Sequence, residues 1–87
     1  RRLKIGTRLL CVANTKRPEL NGTRRTVVQV QTNGFWWSLD GGEHRSHTHY
    51  PRAAAIRIVD DDTFDLSWDS SFDNEAHYVR LRFEDKP

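Results

Sequence analysis

The sequence predicts an all-β domain of five to seven short antiparallel strands forming a small barrel or sandwich. Three observations lead there. Apolar and polar residues alternate with a period of two in Thr63–Trp68 and His77–Phe83. Turn-forming residues (Gly6-Thr7, Asn21-Gly22, Asn33-Gly34, Asp40-Gly41-Gly42) divide the first half at short intervals. No segment sustains a helical apolar period.

Taken in order, Gly6-Thr7 opens a first strand over Arg8–Ala13, and a polar loop runs from Asn14 to Asn21-Gly22. A second strand spans Thr26–Gln31, and Asn33-Gly34 turns it into a third, Phe35–Leu39. Asn-Gly between two strand-like runs suits a type I′ hairpin turn, in which both central residues adopt positive φ. Glu43–Pro51 reads as a polar, histidine-rich loop. Within Arg52–Val59 the alanines favour a helical turn, whereas Ile56, Ile58 and Val59 favour a strand. Asp60-Asp61-Asp62 ends that segment. Phe64, Leu66 and Trp68 then share one face against Asp65 and Ser67. After an acidic loop over Asp69–Ala76, Val79, Leu81 and Phe83 alternate with Tyr78, Arg80 and Arg82.

A chain of 87 residues allows one domain, near the lower limit for folding without a metal or disulfide. The single cysteine, Cys11, lies in an apolar run and reads as a small buried hydrophobe. Its lack of a disulfide partner points to a reducing, intracellular compartment, cytoplasmic or nuclear. No apolar stretch approaches the length needed to cross a bilayer as a helix. Methionine is absent, even at position 1, which suggests a domain excised from a longer protein, or a processed product; within a larger chain it reads as a monomeric domain.

Net charge is small, but the halves differ. Up to Arg57 there are eleven basic residues against three acidic; from Ile58 there are three against nine. Such asymmetry fits a polyanion-facing surface with an acidic counterpart, or two halves that pair with each other. Lys16, Arg17, Arg24 and Arg25 flank one proline-stiffened loop and are the candidates for gripping phosphates. In Phe35-Trp36-Trp37 alternation sends Trp36 to the face opposite Phe35 and Trp37, so at least one large aromatic lies outside or at the rim. Trp36 or Trp37 is then the candidate for stacking on an unpaired base. A second set, Trp36, Tyr50, Trp68 and Asp65, with Asp60–Asp62 nearby, suits a methylated or basic peptide. His44, His47 and His49, with His77 as a further ligand, have incomplete metal-site character: Arg45 intrudes and no second shell is visible. No catalytic constellation emerges, so the reading is a non-enzymatic protein that needs neither metal nor cofactor.

The segment from Lys4 to about Asp40 resembles the SH3-like small barrels of the KOW and Tudor type. It is particularly similar to the accessory barrel of RecD- and Pif1-like helicases and of conjugative relaxase-helicases. Those barrels carry an opening G-x-R-V strand, an Asn, a variable loop and N-G-x-x-G-x-V. The matching residues are Gly6-Thr7-Arg8-Leu9, Asn14 and Asn21-Gly22-Thr23-Arg24-Arg25-Thr26-Val27. Arg25 stands where the pattern has its second glycine, so the chain there must depart from the family's. The resemblance implies an SH3-like barrel of five to seven strands. Its acidic C-terminal strands, 60–87, would complete or cover that barrel. It also implies contact with nucleic acid (DNA or RNA) or with a neighbouring protein domain.

Overall fold

A computed structural model describes residues 3–40, 45–49, 56–69 and 73–84. Among the described residues there are seven strands: β1 (Arg8–Asn14), β2 (Arg24–Gln31), β3 (Gly34–Leu39), β4 (Arg45–His49), β5 (Ile56–Ile58), β6 (Thr63–Asp69) and β7 (Ala76–Phe83). They form one antiparallel sheet in the order β4-β3-β2-β1-β7-β6-β5. A single 3-10 turn, Pro18–Leu20, interrupts the β1–β2 connection. Among the described residues no helix is long and apolar enough to cross a membrane.

The sheet is all-β as expected, but it is not closed, because β4 and β5 are its two edges. It is rolled. Leu9 and Cys11 (β1), Val27 (β2), Phe35 and Trp37 (β3), Phe64 and Leu66 (β6), and Val79 and Leu81 (β7) form one buried cluster. In a flat sheet β3 and β6 would stand about 19 Å apart, four strand spacings, and could not share a core. Two register shifts assist the curvature, between Val27 and Gln29 and between Cys11 and Ala13. An extra residue in one strand of a pair increases local twist.

Alternation correctly divides β7, whose Val79 and Leu81 are buried while Tyr78 and Arg82 are exposed. Gly6 and Gly22 hold φ of +92° and +82°, the left-handed conformation that their turns require. Two expectations need correction. The β2–β3 hairpin turns on Thr32-Asn33, one residue before the Asn-Gly pair, because Gln31 opposes Gly34; neither turn residue has positive φ, so the turn is not type I′. Register here is constrained by Phe35 and Trp37, which a one-residue slip would turn out of the core. The histidine-rich stretch is also not simply a loop, since Arg45–His49 pairs with β3. A polar sequence suits this position because an edge strand remains hydrated along one side. Tyr50, His44 and the three alanines lie outside the described residues.

Cys11 is fully buried. Burial raises its thiol pKa, while the nearby Arg25 guanidinium pulls the other way. The native thiol is therefore expected to resist a disulfide reagent such as Ellman's at neutral pH and to react promptly in denaturant. Equal rates in the two states would contradict this placement.

Candidate functional site

The β1–β2 loop is organised by two asparagines. Asn14 Oδ1 accepts the backbone N–H groups of Lys16 (3.1 Å) and Arg17 (2.9 Å), and Asn21 Oδ1 accepts that of Asn14 (2.7 Å). Side-chain acceptors of this kind replace the missing ladder partners of a turn. The backbone of Gly22 donates to Cys11 at 2.7 Å, and Thr15 bonds Tyr78 on β7, so both ends of the loop are fixed. Lys16 and Arg17 project from it into solvent; Arg17 pairs with Glu19 at 3.0 Å.

Arg24 and Arg25 separate completely. Arg24 points outward and pairs with Glu84 at 2.8 Å, a contact between the basic and acidic halves. Arg25 is 2% exposed, its guanidinium 3.7 Å from the centroid of the buried Trp37 ring. Its Nε and Nη2 have no hydrogen-bond partner, and burial lowers its pKa. Arg25 shares the inward face with Val27, which sets its direction by the period of two. Arg25 and Trp37 are therefore core residues, withdrawn from any phosphate or base at the surface.

The outward face of the sheet carries a different basic set. Leu10 on β1 is flanked by Arg24 on β2 and Arg82 on β7 in one cross-strand row. Arg82 and Arg24 are thus two strand spacings apart, about 9.6 Å. The next row runs Arg8, Thr26, Ser38, Arg45 across β1 to β4. Arg8 bonds Thr26 Oγ1 at 3.3 Å and pairs with Asp40. Trp36, half-buried, stands on this face beyond Ser38, opposite Gln29 and His47. Sequence inspection identifies Arg24 and Trp36 but not Arg8, Arg45 and Arg82, because cross-strand neighbours are not legible in the chain order.

The peptide-type set does not converge. Asp65 is buried on the outward side and forms a two-point ion pair with Arg80, at 2.8 and 3.0 Å; Arg80 has its pKa raised by this bond. Trp68 lies on the inward side, packed on the core, with its ring 5.8 Å from that of His77. Trp36 stands on the opposite face, with β2, β1 and β7 between its strand and β6. Tyr50 lies outside the described residues, as do the side chains of His44, His47 and His49. His77 is buried, with Nε2 2.8 Å from Asp73 and Nδ1 3.2 Å from Thr15 Oγ1. Donor atoms of Asp73, Glu75 and His77 fall within 4.8 Å of one another, but the imidazole's two hydrogen bonds account for its position, tying β7 to the β1–β2 loop. Comparison with family models, with curated proteins and with solved structures finds no match for this chain.

Proposed function

We propose that this domain is a non-enzymatic nucleic-acid-binding module on an open sheet of the SH3-like, KOW/Tudor type, and that a single strand lies across its outward face. The carrying observation is the row in which Arg24 and Arg82 flank Leu10, followed by the row containing Arg8 and Arg45, with Trp36 beyond. Arginines held on strands lose less freedom on binding than those on a loop tip, and their guanidinium groups match phosphate geometry. Existing carboxylate partners do not preclude this. The Arg24 side chain is 54% exposed in its pair with Glu84, and exposed pairs contribute about 0–1 kcal/mol, so a phosphate can displace the carboxylate. Trp36, half-buried on the same face, would stack on a base, and Lys16, exposed on the β1–β2 loop, would add a further cation.

Fluorescence anisotropy with a labelled single-stranded oligonucleotide, repeated over a range of salt, tests this. Affinity should fall steeply with salt. Arg24→Ala with Arg82→Ala should reduce the log–log slope by about 1.4, or about 0.7 for each phosphate no longer neutralised. Glu84→Gln releases Arg24 and should tighten binding about twofold. Absent binding, or affinity indifferent to salt, would overturn the reading.

A further inference from the structure

Where the chain enters β7, three metal-ligating side chains converge. Asp73, Glu75 and His77 each offer one donor atom, and these atoms lie within 4.8 Å of one another. Local structure explains the convergence. His77 faces inward by the same alternation that buries Val79 and Leu81 and exposes Tyr78. Asn74 has a φ of +53°, a left-handed conformation that folds Asp73 back toward the strand. The Glu75 backbone N–H donates to Asp73 Oδ1 at 3.0 Å, while Asp73 Oδ2 lies 2.8 Å from His77 Nε2. The imidazole forms the floor of the cluster: its side chain is 8% exposed, against 42% for Asp73.

The other ring nitrogen is held from outside the cluster. Thr15 Oγ1, 3.2 Å from Nδ1, accepts the Tyr78 N–H at 2.9 Å and has the Tyr78 carbonyl at 3.2 Å to receive its own proton. It can therefore accept from Nδ1–H, which leaves the Nε2 lone pair facing the carboxylates. That is the tautomer of an Nε2 metal ligand, with the outer hydrogen bond that such ligands have. In this tautomer Nε2 and Asp73 Oδ2 are two acceptors at 2.8 Å, and a cation is needed between them. From this geometry we infer that Asp73, Glu75 and His77 bind a divalent transition-metal ion, for which zinc suits the donor set. A nitrogen with two carboxylates favours zinc over calcium or magnesium, which take oxygen ligands. Tetrahedral zinc ligands at about 2.0–2.1 Å from the metal stand about 3.4 Å apart. The Asp73–His77 separation of 2.8 Å would open by about 0.6 Å, and the exposed Glu75 would swing inward. Three protein ligands leave the fourth position to water. This inference goes beyond the nucleic-acid reading and does not rest on it, since His77 lies on the inward side, away from the arginine rows.

The test is an NMR amide titration of the chain with zinc chloride, and with calcium chloride in parallel. Zinc should shift the amides of residues 73–78 and of Thr15 saturably, with one-to-one stoichiometry. Calcium at the same concentration should leave them unmoved. Glu75→Gln, at an exposed position, keeps the fold by its spectrum and should weaken zinc binding at least tenfold. Loss of an outer partner alone typically costs about 10–100-fold in metal affinity, and loss of a ligand costs no less. Asp73→Asn should act in the same way. No saturable shift with zinc would overturn the inference, as would an equal response to calcium, which a generally acidic surface would give. Unchanged zinc affinity in Glu75→Gln would also overturn it. Zinc shifts centred on Arg45–His49 would assign the metal to the histidine-rich strand and refute this site.

Discussion

Replacing Arg25 with methionine is expected to stabilise the domain by about 2 kcal/mol, a Tm increase of about 10 °C. Two of the guanidinium's nitrogens are buried without a hydrogen-bond partner. Each such donor costs about 1–3 kcal/mol of desolvation that no partner offsets. The stacked Trp37 ring at 3.7 Å returns some of this, up to about 2 kcal/mol for a desolvated cation–π contact. Methionine keeps the contact with the indole, fills most of the volume and removes the charge. Arg25→Ala also removes the charge but leaves a cavity beside Trp37, so its gain should be cancelled. Thermal melts of the two variants separate these effects. A methionine variant less stable than the parent would mean that the guanidinium has an anionic partner it cannot lose.

Arg25 also marks where the chain stops being legible. Consecutive strand residues face opposite ways, yet sequence alone does not say which of Arg24 and Arg25 turns inward. Val27-Val28-Gln29-Val30 supplies apolar residues to both faces, so the following residues do not resolve the choice. Burial resolves it: Val27 is fully buried and Arg25 follows it inside.

Where one face is cleanly apolar, legibility is high. Val79, Leu81 and Phe83 on β7 and Phe64 and Leu66 on β6 take the sides that alternation assigns them. The turns at Gly6 and Gly22 are equally legible because their positive φ selects glycine. β4 is illegible for the opposite reason. Its residues Arg45–His49 are polar throughout, and the strand exists through backbone pairing with β3. The outward basic face is half legible. Its residues alternate as expected, but bringing Arg82 beside Leu10 and Arg24 requires β7 to pair with β1, a contact between the two ends of the chain. Likewise, Asp65 alternates to the polar side, but its burial follows only from the register that sets Arg80 opposite.

Truncating Phe35 and Trp36 to alanine, one at a time, should produce opposite failures although the residues are neighbours. Phe35 is fully buried against the inward cluster, and Phe35→Ala should cost about 3–5 kcal/mol. A chain of 87 residues has about 4–13 kcal/mol of total stability, so this variant should lose a large share of it, seen by circular dichroism as a Tm lower by about 12–40 °C. Trp36 stands on the outward face, half-buried. Trp36→Ala should leave the fold in place, at a cost of about 1 kcal/mol. Its effect should instead fall on the oligonucleotide, with affinity about tenfold weaker through loss of one stacked base. The salt dependence should be unchanged, because no charge has been removed. That combination, unaltered slope with reduced affinity, distinguishes a stacking tryptophan from one that merely braces the arginine rows. A brace would reduce affinity and slope together, and would remove Trp36 from the proposed interface while leaving Arg24 and Arg82 in it.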